Sequence, residues 1–527
     1  MALLSFLAFT SLVAFISYKW VGKSSDTSEG YFLGGRSLTA GVIAGSLLLT
    51  NLSTEQIIGL NGQAYTEGIL VMCWETLAAI AMVVTALFLL PRYLKSGLTT
   101  IPQFLEIRYD KMTRTIASGL FLTGYVVVLL PIVLYSGSLA LVTMFDIPDT
   151  FGISHTAALW LFVWGIGLIG SVYAIFGGLK AVAISDTLNA IGLLIGGLMI
   201  PVFGLYYIGD GSLGAGLTNL YENAPDKFNA IGDSNASVPF STIFTGMMLV
   251  QLFYWGTNQA IIQRALAAKN LREGQKGLLL AAVVKILGPL ILVLPGMIAF
   301  YIFKGDLEIP DQAYPKLVQT VLPTVLVGFF AAVLFGAILS SFNSALNSSV
   351  TLFGLDIYKA HINKDADEKT IIKQGKRFGI MLALFAMFIA PLIANAPDGL
   401  FGYLQEVNGC YSIPILTIIV VGYLTKYVPA SAAKIAIVLG AILYTISQFI
   451  LKPYVFGDEN YPHFLHVMAI LFVMNIAIML IIGMLKPRSE AFELTDAGAV
   501  DLKEYKYRYI VGGAIVVVVI LSYIIFS

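Results

Sequence analysis

The stretch Leu49-Thr50-Asn51-Leu52-Ser53-Thr54-Glu55-Gln56 sets one carboxylate, two amides and three hydroxyls in the middle of an apolar run, residues 41–63. Polar groups at that depth are costly unless they face protein or water, so they mark a functional site by default. The cluster also invites the helix to unwind, which a bilayer tolerates only where the backbone lines a cavity. A second interruption, Gln251, Tyr254, Trp255, Gly256, Asn258 and Gln259, falls within the run 240–263. Lys285 stands alone about nine residues, or about 13 Å, into a third run, too deep to reach the interface comfortably. Glu75 and Glu55 are its candidate partners; its ammonium either makes a structural ion pair or donates to a solute. Gln56, Gln251 and Gln405 add amides, which both donate and accept. Carboxylate, amides and ammonium together suit a neutral polyhydroxy solute. Tyr135, Tyr254 and Trp255 offer ring faces for the C–H side of a sugar, or pack as ordinary core.

Ala337, Ser340 and Ser341 are spaced i, i+3, i+4 in the run 319–352 and therefore share a helical face. Two hydroxyls and a carbonyl are hard oxygen donors, and a sodium ion wants about five or six of them by analogy with other hard cations. Carbonyls freed at the first interruption, near Leu49 and Leu52, are available to complete the shell. The same spacing also serves small-residue helix packing, although Ser340-Ser341-Phe342-Asn343-Ser344 is more polar than packing needs. Asp186 opens another run after Phe176-Gly177-Gly178-Leu179-Lys180. It is either an N-terminal charge favoured by the helix dipole or a staging point for a departing cation.

These groups need apolar helices to hold them, and the bulk composition supplies them. The chain is 58% hydrophobic and 12% charged, with a mean hydropathy of +0.84, where soluble proteins carry about 25% charged residues. The class is an all-α polytopic membrane protein. A formal net charge of zero gives no electrostatic case for nucleic acid. Cys73 and Cys410 lie in apolar runs and indicate no disulfide framework. His155, His361, His463 and His466 lie in or beside loops, which weakens any metal or general-base reading within the bilayer.

A helix needs about 20 apolar residues to cross the hydrocarbon. Fourteen runs qualify: 3–18, 41–63, 70–91, 115–145, 156–176, 181–208, 240–263, 277–303, 319–352, 378–394, 399–425, 435–451, 462–485 and 509–526. With the N-terminus outside and strict alternation, inner loops collect 26 of the 31 lysines and arginines, outer loops 4, and Lys285 stays within a span. That bias follows the positive-inside rule and puts both termini outside. The two interrupted runs lie five spans apart and so enter from opposite sides. Broken helices at matching positions of inverted halves point to a secondary-transporter site. The expected organisation is 1–40 as an extra helix and inner loop, 41–208 as a first five-helix repeat, 209–239 as an outer loop, 240–425 as a second five-helix repeat and 426–527 as three C-terminal helices. The charged inner segment 353–377 is expected to carry a short amphipathic helix of its own.

The same residues carry a family resemblance. Gly30-Tyr31-Phe32-Leu33-Gly34-Gly35-Arg36-Ser37, Asn51 to Gln56, Phe176-Gly177-Gly178-Leu179, Tyr254-Trp255-Gly256-Thr257-Asn258-Gln259 with Gln263-Arg264, Ser340-Ser341 with Asn343 to Asn347, and Gln405-Glu406 resemble the solute:sodium symporters, and among them the bacterial sodium/galactose symporter and animal sodium/glucose cotransporters. The resemblance implies a leucine-transporter-like core of ten helices, with one helix before it and three after, in the cell membrane. It implies solute contacts at Gln56, Glu75, Lys285 and Gln405, with Asn51; Gln251 stands where the galactose symporter has Asn, and Ala78 where it has Ser. It implies an inner gate at Tyr254, with Trp255 beside it and Tyr135 nearby. It implies sodium bound by carbonyls of Leu49, Leu52 and Ala337 and hydroxyls of Ser340 and Ser341, leaving past Asp186.

The expectation is sodium-coupled uptake of a glucose- or galactose-like hexose by alternating access, without enzymatic activity. Myo-inositol or an amino acid on the same scaffold is the near alternative. An ion or water channel is the alternative from another class, but the polar groups gather at one locus rather than in a repeated filter. No H-E-x-x-H serves an intramembrane enzyme, and no G-x-x-x-x-G-K-[ST] loop serves a pump. Monomer and homo-oligomer are both left open.

Overall fold

The computed structural model describes residues 4–12, 28–307, 309–395, 400–457 and 460–527. Most of the expected first span lies outside these residues; 4–12 are helical. Among the described residues, ten helices are long and apolar enough to cross a membrane, or eleven with the bent pair Leu271–Ile286 and Gly288–Phe303. Two further expected spans, 41–63 and 240–263, escape that count because each is broken in two.

The first break follows from local backbone geometry. Helix α1 (Ala40–Asn51) ends at Leu52, whose φ of −74° and ψ of 59° leave the helical region. The Ser53 N–H then turns back onto the Asn51 carbonyl at 2.7 Å. It no longer serves as the helical donor to Leu49 O, and α2 (Thr54–Glu67) restarts from extended Ser53. Gly68, at φ 74°, turns the chain through a short 3-10 segment into α3 (Cys73–Val84). A Cβ there would lie 2.3 Å from the Lys227 carbonyl oxygen, so only glycine fits the close approach.

Helix α4 (His155–Ile208) contributes both the fifth and sixth expected spans. One leg begins beside Val142 and Ile147 and brings Gly170 against Phe342. The other carries Asp186, then Gly192 and Gly196 against Val333 and Phe330, so this leg runs antiparallel to the helix that bears those residues. Asp186 is therefore internal to a helix rather than at a helix N-terminus. The second break separates α5 (Gly246–Gly256) from α6 (Gln259–Leu266). There the Asn258 side chain accepts the Ala260 N–H at 3.0 Å, an N-cap of the usual kind.

Helix α7 (Leu271–Ile286) bends by 49° into Gly288–Phe303, at a Gly288-Pro289 pair that the span prediction passed over. Helix α8 (Thr324–Thr351) is the central post, packed along α4 and α1. It continues through wide π turns to Ile362, and the next helix starts at Glu368. No separate amphipathic helix occupies 353–377. The reason is Asp356, fully buried in the extension and held by the Ser118 hydroxyl at 3.0 Å, by Thr100 and by Arg114; a buried carboxylate needs such donors. Helix α9 (Leu400–Leu424) completes the walls around the two breaks.

Segments expected in inner loops touch one another on one face: Arg36 bonds Gly97 O, Lys434 bonds Asp110, and Ala497 bonds Lys95 O. This is the basic face below.

Candidate functional site

Two charges meet beside the first break. Glu75 lies in the first turn of α3 and Lys285 in the last turn of α7, the ends at which helix dipoles favour an anion and a cation respectively. Lys285 Nζ is 2.5 Å from Glu75 Oε2, with both side chains essentially sealed from solvent. The Gln56 amide of α2 donates to the other oxygen, Oε1, at 2.5 Å. The Trp255 ring from α5 lies 5.6 Å from the ammonium. Of the two partners expected for Lys285, the structure selects Glu75. Space for the carboxylate exists only because residue 288 lacks a side chain: a Cβ there would lie 2.3 Å from Glu75 Oε2.

A cavity of about 50 Å³ opens in front of this pair. It is contracted compared with the roughly 300 Å³ and more of small-molecule sites. Asn51, Gln56, Gln251, Lys285, Gln405, Tyr254 and Trp255 all line it, together with Glu55 and Ala78. Glu75 does not: with both oxygens engaged it stands behind Gln56 and Lys285. Tyr135 does not either, and packs against Ile132 and Leu404. It follows the wall residue Leu129 by six positions, which at 3.6 residues per turn faces it away. Trp74, Phe401 and Asn408 also line the cavity and were missed; Trp74 and Phe401 meet edge-on at 5.2 Å. The only sequence signal for Trp74 was its place beside Glu75. Gln251 is partly committed, its amide donating to Trp74 O at 3.0 Å. Asn51 Oδ1, Glu55 Oε2, Gln56 Oε1 and Trp74 Nε1 are buried without a hydrogen-bond partner, a costly arrangement that a polar ligand would relieve.

The hydroxyl face of α8 lies just behind the break. Ser341 donates to the Thr50 carbonyl at 3.1 Å, bringing it to the end of α1. Ser340 Oγ is buried near Asp186 but meets no partner of good hydrogen-bond geometry. Leu49, Leu52 and Ala337 are all buried around them. A hydroxyl without a partner, a second hydroxyl and carbonyls released by the break are a donor set that fits sodium. Asp186 accepts from Ser46 at 2.7 Å and lies 3.9 Å from the Arg264 guanidinium. Arg264 also bonds Ser46 and Ser344 and is fully buried. It was counted among the loop cations; its position at the end of an apolar run hid its pairing with Asp186, which lies far away in sequence. A second small cavity, about 20 Å³, is lined by Thr50, Ser341 and Ser344. Glu55, Tyr254 and Asn258 line both cavities, so the two polar clusters share a wall.

Residues 31–440 match the sequence profile of the sodium:solute symporter family. The chain belongs to that family. This symporter is 50% identical over 506 residues to the uncharacterized symporter YidK of Escherichia coli (strain K12), covering 96% of this chain and 87% of the relative. It is 34% identical to the sodium/glucose cotransporter of Vibrio parahaemolyticus, covering 80% of each. Its fold matches a substrate-bound, outward-open sodium-coupled sialic acid symporter with a TM-score of 0.78 at 18% identity, over 93% of this chain and 98% of that one. The symporter therefore has the leucine-transporter fold, is a membrane transporter rather than an enzyme, and moves its solute together with sodium.

Proposed function

We propose that the co-transported solute is a neutral sugar of hexose size, imported across the cell membrane by alternating access. One observation carries this reading: the buried Glu75–Lys285 pair holds Gln56 at a cavity whose other polar walls are Asn51, Gln251 and Gln405. Amides and an ammonium at fixed positions select hydroxyl groups by direction. The lining has an excess carboxylate, Glu55, with no cation left free for it, which disfavours an acidic solute. Gln56, Lys285, Asn51, Gln251 and Gln405 are the solute contacts in this reading, and Glu75 positions the first two. Tyr254 and Trp255 close the cavity toward α6. Sodium binds at Leu49, Leu52, Ala337, Ser340 and Ser341 and leaves past Asp186. The two five-helix repeats, 41–208 and 240–425, rock about the shared site, with the basic face cytoplasmic and both termini outside.

Sodium at the break ties α1 to α8 and favours the arrangement of Asn51 and Gln56 that binds the sugar. Coupling needs only this difference in affinity between states. Each inward charge gains about 2.3 kcal/mol per 100 mV. The test is uptake of radiolabelled D-glucose and D-galactose into proteoliposomes under an inward sodium gradient or a potassium gradient of equal size. Uptake of at least one sugar only with sodium is expected. Equal uptake under both gradients, or none of either sugar, would remove the assignment.

A further inference from the structure

Residues 486–507 connect the helix Phe464–Leu485 to the last helix, Arg508–Ile525, with almost no regular structure of their own. A connection of that kind usually loops into solvent. Here it lies flat across the basic face and is fastened along its length. The Arg488 and Phe492 N–H groups donate to Tyr427 O and Lys426 O, just beyond α9, at 2.9 and 3.0 Å. Arg488 Nη1 donates to Arg108 O at 2.7 Å, and the Phe492 ring stacks 5.0 Å from the Arg108 guanidinium. Further along, the Ala497 N–H donates to Lys95 O at 2.8 Å, Asp501 O accepts the Leu271 N–H at 3.0 Å, and the Tyr505 N–H donates to Gln275 Oε1 at 2.8 Å. Leu494, Val500 and Leu502 pack on the apolar core above them.

The fastening points matter more than their number. Lys95 ends the helix that continues α3, and Leu271 and Gln275 open α7, so this half of the strap holds the elements carrying Glu75 and Lys285. The other half holds the end of α9, which carries Gln405. Between them α6 is wholly buried, and Arg36 bridges Leu266 O and Gly97 O across the same seam. We propose that residues 486–507 form a latch that keeps the basic face closed and must release Lys95 and the start of α7 whenever α6 becomes accessible. The purpose of the latch rests on the alternating-access reading; its effect on access does not.

Two experiments test it. A Cβ at residue 97, whose φ is 64°, would lie 2.9 Å from the Ala497 Cβ, closer than the roughly 3.5–4.5 Å of a disulfide, so the strap must back away by about 1 Å for the bond to form. Gly97→Cys with Ala497→Cys, in a Cys73→Ala, Cys410→Ala background, staples the strap when oxidised. Oxidation should cut sodium-driven D-galactose uptake at least about tenfold and reduction should restore it. Undiminished uptake with the cross-link complete would overturn the proposal. The second experiment needs no solute and decides alone if galactose is not carried. Ala265→Cys, buried in α6, is labelled with a maleimide in a Cys410→Ala background, with and without Phe492→Ala. Loosening the strap should speed labelling at least about fivefold while buried Cys73 stays unlabelled; any other pattern counts against the latch.

Discussion

At the scale of single residues, the site depends on a buried ion pair that stability alone would not retain. Two desolvated charges are costly, and removing one partner, which leaves the other unpaired, destabilises by about 3–5 kcal/mol, more than removing both. Lys285→Ala should therefore destabilise the protein by about that amount, and Lys285→Ala with Glu75→Ala by less; detergent-solubilised thermal melts would check the order. Gly288→Ala is expected to keep the fold but push its methyl into Glu75 Oε2, 2.3 Å away, weakening solute binding about tenfold or more, about 1.4 kcal/mol. Uptake KM measures that, and an unchanged value would detach Glu75 from the solute. The pair itself was legible because a lone ammonium deep in an apolar run must find a partner. Its setting was not: Gly288 makes room by having no side chain, which no composition signal conveys. Tyr135 has a ring suited to a pocket but packs on Ile132 and Leu404 outside the cavity lining, a placement that residue type alone does not give.

At the scale of elements, the interrupted helices were readable because polar side chains and missing backbone donors go together. The polar stretches Asn51 to Gln56 and Gln251 to Gln259 each contain their break, at Leu52-Ser53 and at Thr257-Asn258. What was not readable is how distant ends are capped. Arg108 is buried, and its guanidinium donates to Gly422 O, Val428 O and Thr425 O at 2.9, 3.0 and 3.0 Å, closing the C-terminal end of α9 from more than three hundred residues away. A lysine cannot reproduce that fork. Arg108→Lys should lose about two charge-assisted hydrogen bonds, costing about 3–6 kcal/mol of stability. A melting temperature equal to the parent's would show that α9 does not need the cap. Asp186 and Arg264 are a similar case: each looked like a terminus or loop residue, and only their burial against each other shows otherwise.

At the scale of the whole molecule, the proposed function places coupling at the wall between two small cavities. Glu55, Tyr254 and Asn258 face both the amide-lined cavity and the one bearing Ser341, and α1 ends where Ser341 reaches Thr50 O. On the proposed reading, an ion gathered at that point would change the geometry of Asn51 and Gln56 directly, without a long chain of intermediates. Linkage then works in both directions: each ligand strengthens the other by the same factor. The most direct measurement is the equilibrium dissociation constant of the proposed hexose solute, D-glucose or D-galactose, for the purified protein, with saturating sodium and with choline in its place, in the parent and in Ser341→Ala. Sodium should tighten binding at least about tenfold in the parent, with most of that gain lost in the variant at the same sodium concentration. A dissociation constant that ignores sodium in the parent would contradict coupling through this wall.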